Sequence, residues 1–288
     1  MAEPSVLKVV LTVYDWTYWI VAVIVIAVAW RLPRGKRAKI VAMGVVAAIC
    51  LILPGLRAYQ TIEYRNRYAE TKALFDKRCA TAGERISTTV KNVEGIFLLR
   101  PRPRNVNRSD QYELDDPYGN DFQGDSYIIS FFMGREPAGR FSQQHTRGAY
   151  KFVETRDAET NRIRRWTPKL VPVIRDEVEI KLASEIVDSG LAEYGVTWSD
   201  LSTKEDRDHW IAGSSLQVVD LKTNKVIAER IGYMFDAGLG AKAGGRAPWF
   251  FAPYNACPEF KKSESGHPVK SSRSRDFVLS VLSPVNGE

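Results

Sequence analysis

Histidine, which commonly carries catalysis or binds metals, is scarce in this chain of 288 residues. It occurs three times, as His145, His209 and His267. No two of these are spaced as neighbours on a helix, and the chain has no Cys-x-x-Cys motif. A zinc site would therefore need ligands that are far apart in sequence. We expect no metal site and no cofactor.

One short segment brings together the residue types of nucleophilic catalysis. Asp208 and His209 precede Ser214 and Ser215, but no Gly-x-Ser-x-Gly elbow is present. Because geometry rather than residue type defines a catalytic triad, the alternative is a turn that leads into a strand. We expect that alternative and a protein that is not an enzyme. An enzyme would instead need a preformed pocket with converging polar groups, centred on His209.

A long polar loop combines two charge runs of opposite sign. Alternating prolines and arginines in RPRPR are followed by the acidic run DDPYGNDFQGD, residues 115–125. Guanidinium groups pair bidentately with carboxylates and phosphates. We predict that the loop contacts a protein partner through Arg100, Arg102, Arg104, Asp115, Asp116 and Asp121. The alternatives are a loop that pairs its own charges, arginines that meet lipid phosphates, and a calcium site that lacks the EF-hand spacing.

Two further segments lie near the C-terminus. GLGAKAGG, residues 238–245, matches neither phosphate-binding glycine pattern, and we predict a loop. Four aromatic residues follow it, close to Cys257: Trp249, Phe250, Phe251 and Tyr254. They could form an exposed recognition patch, but we favour packing beneath a disulfide.

The three cysteines are distributed unequally. Cys50 lies within an apolar run, whereas Cys79 and Cys257 lie near the two ends of the polar part. In an oxidising compartment these two would pair, and the disulfide would close a loop of about 180 residues. We predict this disulfide; the alternative is a pair of buried free thiols.

The first 57 residues have the pattern of a membrane anchor. Two charge-free runs, Trp16–Trp30 and Ile40–Leu56, have lengths near the spanning range. The short linker between them contains five basic residues and no acid, which predicts a cytoplasmic linker. We therefore predict a two-helix transmembrane hairpin over 1–57, with 58–288 on the opposite side of the membrane. The alternative is a cleaved signal peptide.

Charge is concentrated in the same segment. Residues 1–57 contain seven basic and two acidic residues, a net charge of +5, while the whole chain has +7. The remaining residues are nearly neutral, and so the basic pI does not indicate nucleic-acid binding.

Residues 58–288 predict an α+β domain with a mainly antiparallel sheet. A helical stalk is expected over Arg57–Lys91, with a break near Gly83, and Lys261–Arg275 is expected to be a mobile loop. Thr203 should cap a short helix, and the tetrad Lys222–Lys225 should turn a β-hairpin. The candidate strands are Ser87–Val93, Gly95–Arg100, Ser126–Met133, Ala149–Thr155, Arg162–Thr167, Val171–Ala183, Glu193–Trp198, Ser215–Asp220, Val226–Phe235 and Phe277–Leu282.

Two segments carry a resemblance to a known class. CATAGERISTTVKNVEGIFLLRPR, from Cys79, and the stretch Gly195–Asp236 resemble bacterial periplasmic proteins encoded beside type VI secretion effectors, of the lipase-immunity class. The resemblance implies a protein that binds and blocks a toxin delivered into the periplasm, such as a phospholipase. Many members have a lipoprotein signal, whereas this chain has two predicted spans. No binding residue is carried over by motif.

Taken with the anchor, this resemblance predicts an immunity protein in the bacterial inner membrane. Its C-terminal domain would lie in the periplasm, and its partner would be a secreted protein toxin rather than a nucleic acid or a small-molecule cofactor. The alternative is a structural or assembly component of an envelope complex, with an envelope protein as partner.

Overall fold

The structure is a computed structural model that describes residues 4–31, 35–104, 107, 109–134, 148–172 and 178–285. The chain forms two compact units, Met1–Arg67 and Tyr68–Glu288. His145 lies outside the described residues, as does part of the strand predicted over Val171–Ala183.

Two helices account for the described part of the first unit. Helix α1 is Pro4–Arg31, and helix α2 is Lys36–Cys79, which extends into the second unit. Among the described residues, α2 is the one helix long and apolar enough to cross a membrane, and Trp16–Arg31 is a shorter apolar segment.

Helices α1 and α2 contact each other within the first unit. The Tyr18 hydroxyl donates a hydrogen bond to the Cys50 carbonyl oxygen. Ala22 and Ala29, seven residues apart on one face of α1, are buried, and Ala42 and Ala47 of α2 are half-buried. Small side chains of this kind let two helix backbones approach closely.

The predicted stalk is helical, but it is shorter than expected. Helix α2 ends at Cys79 rather than at Lys91. Gly83 has φ +137°, a conformation that excludes most other residues, and there the chain turns into a strand. The break near Gly83 is therefore confirmed, and the helical prediction beyond it is wrong.

Strands and short helices make up the rest of the described second unit. The strands are β1 Gly83–Ile86, β2 Val90–Val93, β3 Gly95–Leu98, β4 Phe152–Arg156, β5 Ile163–Pro172, β6 Val178–Val187, β7 Tyr194–Asp200, β8 Ile211–Asp220, β9 Lys225–Phe235, β10 Ala256–Cys257 and β11 Leu282–Pro284. The helices are α3 Asp125–Ser130, α4 Lys204–Asp208, α5 Pro248–Phe251 and α6 Arg273–Val281.

Within the described residues, nine strands form one large sheet. Their order is β1-β9-β8-β7-β3-β4-β5-β6, and β10 also pairs with β9. The pairs are antiparallel, except that β3 runs parallel to both β4 and β7. Strands β2 and β11 form a separate parallel pair. The mixed α+β class with a mainly antiparallel sheet is confirmed.

Opposite faces of the sheet are covered by different elements. Side chains of even number on β8, such as Leu216 and Val218, belong to the main core with α3 and α6. Ile211, of odd number, belongs to a cluster with Phe75 near the end of α2. Because neighbouring residues of a strand point to opposite faces, α2 ends on the face opposite α3 and α6.

Local signals predicted two elements correctly. Strands β8 and β9 form the expected hairpin, with Asn224 at φ +54° in its turn. Thr203 caps α4: its hydroxyl accepts from the Asp206 N–H at 3.1 Å, and the Asp206 carboxylate accepts from the Thr203 N–H at 2.9 Å. These signals depend on neighbours within four residues, so they can be recognised from the sequence alone.

Two predicted strands are helical instead. Most of Ser126–Met133 lies in α3 and the turn after it, and most of Phe277–Leu282 lies in α6. Both runs are buried on nearly all sides. A short run that is apolar on all sides shows no alternation between apolar and polar residues. Its sequence pattern therefore does not distinguish a strand from a helix.

The segment Lys261–Arg275, predicted to be a mobile loop, contains regular backbone hydrogen bonds. The Ser263 N–H donates to the His267 carbonyl at 2.8 Å, and the Val269 N–H donates to the Lys261 carbonyl at 2.7 Å. The polar composition did not reveal this turn around Gly266, whose φ is +79°, nor that Ser274 and Arg275 at the end of the segment are buried in α6.

Candidate partner-binding surface

The centre of the predicted polar contact loop is buried. Arg102 and Asp116 form an ion pair with 2.7 Å between Nη1 and Oδ2, and their side chains are 1% and 0% exposed. A partner cannot touch either residue in this structure. These two members of the predicted contact set therefore have an internal position instead.

Several groups hold this buried pair. The Gly119 N–H donates to the Asp116 carboxylate at 2.9 Å, and Arg102 donates to the Gly119 carbonyl at 2.8 Å. The Arg102 guanidinium also lies 3.9 Å from the centre of the Trp198 ring. The pair thus joins the loop to strand β7.

Burial and pairing act on the two charges in opposite directions. Burial raises the pKa of the Asp116 carboxyl, against the opposing effect of the Arg102 guanidinium. Burial is the largest influence on Arg102 and disfavours its charged form, but Asp116, Tyr127 and Asp121 together outweigh it and raise the pKa of the guanidinium. Each partner therefore makes burial of the other possible.

The other four members of the predicted contact set lie at or near the surface and are engaged by the protein itself. Arg100 pairs with Asp115 at 2.8 Å, and Arg104 pairs with Asp125 at 2.9 Å. Asp121 accepts from the Ser274 N–H, at the first turn of α6, at 2.8 Å. The loop pairs its own charges, which is one of the alternatives considered from the sequence. A contact role stays a prediction for Arg100, Arg104, Asp115 and Asp121.

The residues considered for nucleophilic catalysis are not assembled. His209 Nδ1 lies 2.9 Å from the Thr71 hydroxyl, on α2. The Ser215 hydroxyl donates to Glu229 at 2.8 Å, and Ser214 is buried in β8. Asp208 accepts from the Tyr112 hydroxyl at 2.6 Å, which lowers the pKa of its carboxyl. The turn that leads into a strand is what the structure contains.

A groove of about 280 Å³ lies where β3, β4 and β7 begin. Its walls include Phe152, Tyr194, Glu94 and Glu193, and no histidine, serine or cysteine lines it. Its two carboxylates form exposed ion pairs with lysines. The groove therefore does not correspond to a pocket centred on His209.

Metal-binding residue types are dispersed across the described part of the chain. No group of three or more His, Cys, Asp or Glu side chains there is arranged to hold a metal ion. The aspartates proposed as calcium ligands are held by arginines and backbone N–H groups.

The glycine-rich segment 238–245 encloses a carboxylate of the protein itself. Asp236, which is fully buried, accepts from the N–H groups of Gly238 and Gly240 at 3.1 and 2.9 Å and pairs with Arg246. Gly240 has φ +83°, and a Cβ there would lie 2.1 Å from the Trp210 indole nitrogen. The prediction of a loop is confirmed. The glycine pattern did not reveal that the loop encloses the buried Asp236.

The aromatic segment that follows divides into an inner and an outer part. Trp249 is buried, with its ring centre 5.1 Å from that of Trp210, and its indole N–H donates to the Asp110 carbonyl at 2.7 Å. Phe250, Phe251 and Tyr254 are 58%, 45% and 52% exposed. Trp249 is therefore packed, but in a cluster with Trp210 that is separate from the cluster of the two disulfide-bonded cysteines. The packing interpretation is wrong for the other three, which we call the aromatic patch.

Side chains of the aromatic patch contact residues outside the patch, and the adjacent backbone is cross-linked. The Arg246 guanidinium lies 4.5 Å from the centre of the Phe251 ring, and the Tyr254 hydroxyl is 2.5 Å from His267 Nδ1. Just after the patch, Cys257 is disulfide-bonded to Cys79 with a Cα–Cα distance of 5.7 Å, and β10 pairs with β9. The patch is thus presented on a supported backbone.

Comparisons with protein-family models, curated proteins and solved structures found no match to this chain. The aromatic patch and the exposed charges of the loop therefore define the candidate partner-binding surface by their geometry alone.

Proposed function

We propose that this chain is an immunity protein of the bacterial inner membrane, whose C-terminal unit binds and neutralises a type VI secretion toxin in the periplasm. The observation that carries the proposal is the aromatic patch, an exposed and supported set of side chains suited to protein recognition. The resemblance of Cys79–Arg102 and Gly195–Asp236 to lipase-immunity proteins supports the choice of a toxin, with a phospholipase as the proposed class.

Membrane anchorage is supported by the surface of α1 and α2. Large apolar side chains such as Trp19, Ile24, Ile49 and Ile52 are about half exposed or more. An apolar surface of this extent on a soluble protein would associate or aggregate, whereas a bilayer accommodates it. The contact between Tyr18 and Cys50 supports two spans that pack together.

A periplasmic position for the second unit is supported by two independent features. The linker between α1 and α2 is basic, which favours the cytoplasmic side. The disulfide Cys79–Cys257 is of a kind that persists in oxidising compartments and is rare in the cytosol.

The topology is tested with a reporter that is active only in the periplasm, fused after Glu288. We expect activity from this fusion. A fusion of the same reporter in the linker after Gly35 serves as the control and should be inactive. An inactive C-terminal fusion together with an active linker fusion would reverse the proposed orientation.

The aromatic patch has the features of a binding hot spot. Aromatic residues dominate hot spots because each buries a large area at a small cost in conformational entropy. Here the backbone that presents them is supported by a buried tryptophan and a disulfide. A rigid surface loses less entropy on binding than a flexible one.

The proposal predicts a phenotype for the triple variant Phe250→Ala, Phe251→Ala, Tyr254→Ala. Cells that lack this protein should be killed on contact with sister cells that secrete the toxin. Wild-type protein should restore survival, whereas the triple variant should not, because loss of a hot spot of 2–4 kcal/mol weakens binding roughly 30- to 1,000-fold. Competition on solid medium measures survival.

A matched control is Leu191→Ala, which removes an apolar side chain of similar exposure elsewhere on the domain. It should protect as well as wild type. Affinity capture of both variants after brief crosslinking should recover a secreted hydrolase with Leu191→Ala and lose it with the triple variant. Survival of cells without the protein, or capture of envelope-complex subunits in its place, would contradict an immunity role and favour an assembly component.

A further inference from the structure

Strand β6 forms one end of the large sheet. In the described part of the chain it pairs with β5 alone, over ten residue pairs in continuous register from Ile163↔Val187 to Pro172↔Val178. Neither a bulge nor a proline interrupts β6. Its outer edge therefore presents a row of backbone N–H and C=O groups suited to the addition of another strand.

The charged side chains of β6 have partial pairing within one copy of the chain: Glu179 lies 3.7 Å from Lys181, and Arg165 of β5 lies 3.7 Å from Glu185. Lys181 lies directly opposite Lys169 of β5, and Glu185 lies opposite Arg165. Like charges directly opposite each other destabilise a sheet. An acidic side chain on the outer side of Lys181, directly opposite it, would add to the effect of Glu179 in offsetting this repulsion.

We propose that β6 pairs antiparallel with β6 of a second copy, about a two-fold axis at Ala183. In this register Lys181 faces Glu185 of the second copy, and Glu185 faces its Lys181. Across the four paired strands, the facing side chains are then Lys169 and Lys181 of one copy and Glu185 and Arg165 of the other. Lys181 and Glu185 therefore each face a residue of opposite charge in the other copy. The same surface serves both copies, as a two-fold interface requires.

The other face of β6 fits the same register. Ile180 faces Ile186 of the second copy, and Leu182 faces its Ser184. Ile180 and Leu182 are half-buried against the main core. Pairing therefore keeps apolar side chains on the core side and charged ones on the outer side. Shifting the register by one residue would place side chains of opposite faces against each other.

The register is tested by disulfide trapping of the full chain in its native membrane, with Cys50→Ser in every variant. Ala183→Cys should form a disulfide-linked dimer under a mild oxidant, since residues directly opposite each other lie within disulfide range. Glu179→Cys is the matched control. In the proposed register Glu179 and its symmetry mate are eight residues apart, roughly 27 Å, so it should not crosslink.

Charge reversal tests the recognition. Lys181→Glu or Glu185→Lys should raise the dimer Kd of the detergent-solubilised chain roughly 5- to 30-fold, because two symmetry-related pairs become repulsive. The double variant should return to within about threefold of wild type. Sedimentation equilibrium measures the Kd, and circular dichroism confirms folding.

Three results would overturn the proposal. They are a monomer at every concentration, equal crosslinking of Ala183→Cys and Glu179→Cys, and a trapped species at residue 183 that contains a different protein. The disulfide-trapping experiment uses different variants from the charge-reversal experiment. It therefore still tests the register if the charge-reversal variants do not fold.

Discussion

Replacing Arg102 by methionine is expected to lower the free energy of unfolding by about 3–5 kcal/mol. The substitution keeps most of the side-chain volume but removes the guanidinium that lies 2.7 Å from Asp116. The Asp116 carboxylate would then be buried without an ion-pair partner. Urea unfolding of the full chain in detergent, followed by near-ultraviolet circular dichroism, measures the loss.

The same variant should show a characteristic dependence on pH. Without Arg102 the pKa of the buried Asp116 carboxyl rises further above its ordinary value of 3.8. The folded state then retains a proton that the unfolded state releases. The contribution of this one carboxyl to stability is therefore fully present below about pH 4 and is lost as the pH rises through the raised pKa. Wild type should show a smaller fall over the same range.

Two controls separate the buried pair from a general effect of losing arginine. Arg100→Met removes an exposed ion pair with Asp115 and should cost about 1 kcal/mol or less. Arg102→Met combined with Asp116→Asn removes both charges and should be more stable than Arg102→Met alone. Equal losses for Arg100→Met and Arg102→Met would show that burial of this pair has no energetic role.

Removing the disulfide is expected to have a comparable or larger effect. Cys79 and Cys257 are separated by 178 positions in the sequence. The loop-entropy relation gives about 5 kcal/mol for a loop of that length, so Cys79→Ala with Cys257→Ala should lower the free energy of unfolding by about that amount. The same unfolding experiment measures it.

Cys50→Ala is the matched control, since Cys50 is a free thiol. It should leave the unfolding of the second unit unchanged. Wild type treated with a reducing agent should approach the stability of the double variant. A loss below 1 kcal/mol in the double variant would mean that the reduced, unfolded chain is already held compact by other contacts.

Structural features that depend on residues close together in the chain could be predicted from the sequence. The β8–β9 hairpin follows from two strand-forming runs around a turn tetrad, and the α4 cap follows from Thr203 and Asp206 at their fixed spacing. The apolar runs predicted helices, and a long apolar helix is present in α2. The disulfide was predicted from compartment and cysteine count, without any knowledge of distance.

Features that depend on distant neighbours were decided by the tertiary structure. Arg100, Arg102 and Arg104 lie in one repeating RPRPR run, yet only Arg102 is buried. Trp198 lies against both Arg100 and Arg102, but Asp116 and Gly119 bind Arg102 alone. Phe250, Phe251 and Tyr254 are aromatic like Trp249, yet of the four only Trp249 is buried, against Trp210.

The physical reason is the same in these cases. Local conformation depends on steric limits and hydrogen bonds within a few residues, which composition and spacing express directly. Burial depends on which surfaces meet once the chain has folded. It is decided by residues well outside the local window, such as Asp116 for Arg102 and Trp210 for Trp249. The sequence by itself determined the class of elements and the disulfide pairing. Only the tertiary structure decided which arginine is internal, which aromatics face the solvent and which strand edge stays open.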